Sequence, residues 1–252
     1  MSVAIIPASL ISAQQLDKPL DLYLLIGQSN MAGRGEITVE YKDEGSDNVL
    51  MLTKENNWVL AKHPLHFDKP SVVGVGPGLS FGIEMAKKSK GHNIGLIPCA
   101  VGGSSIDVWK PGAFDKSTST YPYDDAMKRL EIAMQSGTIK GVIWLQGESD
   151  SDSARAKNYL PKLEELIERI RIKTNSPKLP FVAGELGRYK QQYDNINKVL
   201  HVLPEKVAHT AVASSKGLKD KGDKTHFDSR SAEKMGKRFA KKMQRLLKDN
   251  EN

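Results

Sequence analysis

Apolar and polar positions follow two rhythms along the chain. Short, nearly continuous apolar runs, "DLYLLIG" (21–27), "NIGLIPCAV" (93–101), "GVIWLQG" (141–147), "LPFVAGEL" (179–186) and "VAHTAVAS" (207–214), read as strands buried on both faces. Between them lie amphipathic stretches at about 78–90, 123–136, 153–174 and 192–203. In the third, "LPKLEELIERIRIK" sets Leu163, Leu166, Ile167 and Ile170 on one helical stripe. A last stretch, "SAEKMGKRFAKKMQRLLKDN", repeats that spacing with Ala232, Met235, Phe239, Met243 and Leu246. Strands alternating with helices require right-handed crossovers. The expected fold is α/β, a three-layer α/β/α sandwich around a central, mainly parallel five-stranded sheet. Residues 36–76 are less regular, with a hairpin expected around "NVLMLTKENNWVLAKH". No internal repeat or low-complexity linker divides the chain. Residues 19–250 are therefore expected to form one domain behind an N-terminal tail, 1–18.

Composition narrows this little. The chain has 252 residues, 39% hydrophobic and 27% charged, an ordinary globular balance. The net charge of +7 is concentrated near the C-terminus, between the apolar positions of the last helix. It is expected to be a solvated face, since no aromatic-rich basic groove accompanies it; nucleic acid is not expected as a partner. Cys99 is the sole cysteine, which excludes an internal disulfide and a thiolate metal cluster, and its apolar setting suggests a buried thiol. The opening "MSVAIIPASLISAQQ" resembles the end of a secretion signal, but no Lys or Arg precedes its apolar run. A secreted or periplasmic location is the expectation, with a cytoplasmic one if the segment is only a tail. No membrane partner is expected.

Ligands of open α/β sheets bind beyond the carboxyl ends of the strands. Three such junctions carry unusual residues: Gly27-Gln28-Ser29-Asn30, Val101-Gly102-Gly103-Ser104 and Gln146-Gly147-Glu148-Ser149-Asp150. A phosphate loop fails on spacing. Gly27 and Gly33 are one residue too far apart, Arg34 stands where Lys is required, and no G-x-G-x-x-G occurs at Gly33 or Gly74. Ser29 is then either a helix N-cap or a nucleophile. A nucleophile needs a base. His63, His66, His92, His201 and His209 have no carboxylate at a suggestive spacing, whereas His226 follows Asp223 in "DKTH". A bent D-x-x-H loop brings the carboxylate to Nδ1 and leaves Nε2 free. Donors for a tetrahedral oxyanion are then available from the Ser29 N–H, the Gly103 N–H and the Gln146 side-chain amide. The G-x-S-x-G elbow of the α/β-hydrolases is absent, because Met31 takes the place of its second glycine.

"IGQSNMAGRG", "AVGGSSIDVW", "WLQGESD" and "DKTHF" resemble the four sequence blocks of the SGNH hydrolase superfamily, with its flavodoxin-like sandwich. More narrowly they resemble the branch of sialate O-acetylesterases and carbohydrate esterase family 6 acetyl xylan esterases. The resemblance implies Ser29 as nucleophile, Asp223 and His226 as the acid–base pair, and Gly103 and Gln146 as oxyanion donors. The usual third-block Asn is replaced here by Gln. Gln28 and Asn30 fall in the substrate-facing first block. Glu148 matches an acidic position that assists His226 or, alternatively, shapes its loop through backbone N–H groups. Trp109 and Arg34 are either substrate wall or, respectively, a packed indole and a solvated guanidinium. The implied activity is hydrolysis of an O-acetyl ester on a carbohydrate, of xylan type or, alternatively, a sialic acid, without metal or cofactor. A sugar-binding protein that has lost turnover is the non-enzymatic alternative.

Overall fold

The computed structural model describes residues 18–89 and 91–251. The secretion-signal reading of the tail falls outside the described residues. β1 (Leu20–Gly27) leads through two single-turn helices, α1 (Ser29–Ala32) and α2 (Val39–Lys42), into a hairpin of β2 (Val49–Leu52) and β3 (Trp58–Leu60). Then follow α3 (Pro77–Ala86), β4 (Asn93–Pro98), α4 (Pro122–Ala133), β5 (Gly137–Leu145), α5 (Ser153–Ala156), α6 (Tyr159–Lys173), β6 (Phe181–Gly184), α7 (Tyr193–Lys206), β7 (Thr210–Ala213) and α8 (Ser229–Glu251).

The strands form one sheet in the order β3-β2-β4-β1-β5-β6-β7. All neighbours pair in parallel except β2 and β3. The expected five strands are all present. The hairpin of the irregular region joins them, with β2 parallel to β4 and β3 as an antiparallel edge, which raises the count to seven. This is a mixed α/β fold with helices on both faces of a mostly parallel sheet.

β1 shows why its sequence is apolar throughout. Leu20, Leu22, Leu24 and Ile26 join the core under α4, α6 and α7, while Tyr23 and Leu25 join the core under α3 and α8. Successive side chains of a strand point to opposite faces, so a strand covered twice admits no polar face. The stripe of α8 lies where its spacing puts it, with Ala232, Met235, Phe239 and Met243 buried and Leu246 partly so. The charged residues between them lie outward.

Candidate active site

β1 is flanked by β4 on one side and β5 on the other, so the chain order reverses across it. Loops leaving the carboxyl ends of such strands splay apart and leave a crevice. Here the loops after β1, β4 and β5 meet the segment before α8.

The backbone at the end of β1 is forced. Gly27 has φ +134°, and a Cβ there would stand 2.2 Å from the carbonyl oxygen of Leu145. That close approach lets the Gln28 N–H bond the same carbonyl at 2.9 Å and turns the chain sharply into α1. The N-cap of α1 is Gln28, which makes no side-chain cap bond. Ser29 is thus the first helical residue and not the cap. Its Oγ lies 3.0 Å from Nε2 of His226, across 197 residues of sequence.

His226 is oriented from behind. Its Nδ1 donates to Asp223 Oδ2 at 2.7 Å, which fixes the ring proton on that nitrogen and leaves Nε2 as acceptor for the Ser29 hydroxyl. The D-x-x-H turn closes on itself, with Asp223 Oδ1 accepting the N–H groups of Thr225 at 2.9 Å and His226 at 2.8 Å. Burial works against the Asp223 carboxylate, but these bonds and the imidazole outweigh it and hold its pKa down at about 2.

Two backbone donors at these loops are unengaged. The Ser29 N–H, at the start of a helix, and the Gly103 N–H have no partner among the described residues. Gly103 has φ +86°, and apart from its chain neighbours the nearest atom to the position of a Cβ there is Lys69 Nζ, at 3.9 Å. A buried ion pair sets the loop that carries Gly103. Arg34 Nη2 meets Asp68 Oδ2 at 2.7 Å, with side chains 5% and 2% exposed. The same Asp68 oxygen accepts the Gly102 N–H at 2.8 Å.

Most of the chain is similar to a carbohydrate esterase family. Residues 19–245 match the family model described as carbohydrate esterase, sialic acid-specific acetylesterase. The chain belongs to this family. A probable carbohydrate esterase of Arabidopsis thaliana is 30% identical over 237 residues, covering 86% of this chain and 88% of that protein. A crystal structure of an Arabidopsis thaliana protein superposes with TM-score 0.80 at 29% identity, over 90% of this chain and 98% of the other. NanS shares the fold with TM-score 0.71 at 16% identity, covering 92% of this chain and 99% of that one. The chain is thus a carboxylic ester hydrolase, and the non-enzymatic alternative falls away.

Within this carbohydrate esterase, several residues expected at the reaction centre are engaged elsewhere. Gln146 is fully buried. Its Nε2 donates to Gln28 Oε1 at 3.1 Å, Ser104 O at 3.0 Å and Asp150 Oδ2 at 2.5 Å, and Oε1 accepts from Tyr159. No N–H remains for an oxyanion, so Gln146 braces the loops instead. Gln28 Oε1 also accepts the Gly147 N–H, which makes it a partner of that brace. Asn30 turns its amide to the segment around His226, donating to Thr225 O at 3.0 Å and accepting from Phe227 N at 2.9 Å. Glu148 does not bond His226. Its Oε1 accepts from Asn30 Nδ2 at 2.5 Å, and burial, only partly offset by that bond and by its own backbone N–H, lifts its pKa to about 7.

Trp109 is a packed indole. It lies edge-to-face on Trp144 and donates to Ser104 Oγ. Arg34 is neither solvated nor wall. Cys99 is half-buried, and burial pushes its thiol up to about 11. Three of the dismissed histidines do meet carboxylates: His63 with Glu44, His92 with Asp21 and His201 with Glu185. Their partners lie 19, 71 and 16 residues away, beyond any local motif. Two of these pairs have serine hydroxyls beside them: Ser89 Oγ bonds Asp21 and the His92 carbonyl, and Ser214 and Ser215 Oγ bond Glu185, but none of the three bonds the imidazole. Asp68 was not singled out by sequence; "HFDKP" follows no spacing rule that would mark it.

Proposed function

We propose that this protein removes acetyl groups from O-acetylated carbohydrate, with Ser29 as nucleophile, His226 as general base and acid, and Asp223 as the carboxylate that orients it. The observation that carries this reading is the unbroken chain of contacts, Ser29 Oγ to His226 Nε2 at 3.0 Å and His226 Nδ1 to Asp223 Oδ2 at 2.7 Å. Ser29 Oγ attacks the ester carbonyl carbon as its proton passes to Nε2. The carbonyl oxygen takes the negative charge and is met by the N–H groups of Ser29 and Gly103. The C–O bond to the sugar then breaks, and His226 returns the proton to the departing sugar oxygen. Water, deprotonated by the same imidazole, attacks the acetyl-serine and releases acetate. Ser29→Ala should abolish acetate release from 4-nitrophenyl acetate; full activity in that variant would overturn the assignment.

A second reading concerns the sugar. Lys69 stands at Gly103, and Lys190 Nζ donates to Thr225 Oγ1 beside His226. Two cations at the rim suit an acidic saccharide, in line with the family description, and move weight from xylan toward a sialic acid. Acetate release from acetylated xylan and O-acetyl sialic acid, measured side by side, separates the two. A higher kcat/KM on the acidic sugar supports the second reading and the reverse removes it.

A further inference from the structure

The two reacting groups come from segments 197 residues apart, and the residue next to the serine bonds the backbone on either side of the histidine. Asn30 follows Ser29 directly. Its amide is a copy of a peptide group, and it pairs with the backbone on both sides of His226: Nδ2 to Thr225 O at 3.0 Å, and Phe227 N to Oδ1 at 2.9 Å. The remaining Nδ2 hydrogen goes to Glu148 Oε1 at 2.5 Å. Each hydrogen of this amide is thereby used, and its plane is fixed by three bonds to two other segments.

We infer that Asn30, braced by Glu148, is a positioning residue that sets the distance between Ser29 Oγ and His226 Nε2. The inference rests on the Ser29–His226 chemistry proposed above and adds to it what holds the pair in register. An imidazole carried on a loop has no reason of its own to stay within hydrogen-bonding reach of a distant serine. The Asn30 amide ties the residues on either side of it to the residue next to the serine, so relaxation of this clamp changes the contact directly. A misplacement of about 1 Å costs on the order of 100-fold in rate.

Glu148 suits the part of a brace. Its second oxygen, Oε2, is shut from solvent without a partner among the described residues, and the side chain that bonds its carboxyl is Asn30. Asp150 from its own turn, and Tyr189 and Lys190 from the loop before α7, are its charged and titratable neighbours. A glutamine in its place keeps an oxygen acceptor for Asn30 Nδ2, whereas an alanine leaves that hydrogen unmet inside the protein.

The test compares Asn30→Ala, Glu148→Ala and Glu148→Gln with Ser29→Ala, by kcat and KM on 4-nitrophenyl acetate and by the rate of covalent labelling with a fluorophosphonate. Asn30→Ala is expected to lose roughly 100-fold in kcat and in labelling rate, with KM changed less than about threefold. Glu148→Ala should lose about tenfold or more in kcat, and Glu148→Gln should recover most of it. Unchanged kcat in a folded Asn30→Ala protein, with Ser29→Ala inactive, overturns the positioning role and leaves the nucleophile intact. If Asn30→Ala does not fold, the Glu148 pair decides, and equal kcat in Glu148→Ala and the unaltered protein overturns the inference. An active Ser29→Ala would instead remove the chemistry on which it rests.

Discussion

Asp68→Ala removes one partner of the ion pair beneath the Gly102–Gly103 turn. With side chains only 5% and 2% exposed, Arg34 would be left with a charge that water does not reach. Breaking a buried pair from one side costs about 3–5 kcal/mol. Arg34 keeps its bond to Gly33 O at 2.7 Å, which offsets part of that loss, while the Gly102 N–H loses its acceptor and adds about 1–3 kcal/mol. A net loss of about 4 kcal/mol follows; divided by a urea dependence of about 3 kcal/mol/M, it moves the midpoint down by roughly 1.3 M. The assay is urea unfolding followed by tryptophan fluorescence, together with kcat on 4-nitrophenyl acetate. Turnover should fall as well, by about tenfold or more, because Gly103 loses the anchor next to it. The double variant Arg34→Met/Asp68→Leu should recover part of the stability, since no unpaired charge remains, but not the turnover. A stability loss under about 1 kcal/mol in Asp68→Ala, or recovery of turnover in the double variant, would refute the argument.

Asp223→Asn should leave the fold nearly unchanged, because the carboxylate is 37% exposed, yet lower kcat by roughly 10³–10⁴-fold through loss of the tautomer it enforces. Circular dichroism with steady-state kinetics checks both halves. Glu148, lifted to about 7, binds its proton more tightly folded than unfolded, so its contribution to stability is complete below its ordinary value of 4.5 and is lost as pH rises through about 7. Urea midpoints should therefore show the protein losing ground to Glu148→Gln between about pH 5 and about pH 8, and a constant difference would contradict it. Gly27→Ala places a methyl group 2.2 Å from a carbonyl oxygen at φ +134° and should cost more than about 3 kcal/mol, read as loss of soluble protein or a lowered thermal midpoint.

Much of the sheet was legible because a doubly covered strand tolerates no polar run, and β1, β4, β5, β6 and β7 each announce themselves. Their ends were less so. β4 stops at Pro98 although the apolar run continues to Val101, and the Cys99 and Val101 N–H groups still bond β1 at Leu25 O and Gly27 O, so the run follows β1 to its end beyond the strand's formal limit. The stretch 153–174 is two helices, α5 and α6, broken at Lys157–Asn158, with Pro161 in the first turn of the second. The D-x-x-H turn was readable since its partners are three residues apart and the bonds are local. The Asn30 clamp and the Arg34–Asp68 pair were not, because they join segments 195 and 34 residues apart and carry no spacing. Gln146 misled for a related reason. Its amide is the right group at the right strand end, and only the packed structure reveals Gln28, Ser104 and Asp150 already holding it.

The most direct measurement is the site of covalent capture. Reaction with a radiolabelled or mass-tagged fluorophosphonate, followed by peptide mapping, should place one adduct on Ser29, and His226→Ala should abolish it. Labelling at another residue, or undiminished acetate release from a protein fully blocked at Ser29, would contradict the account.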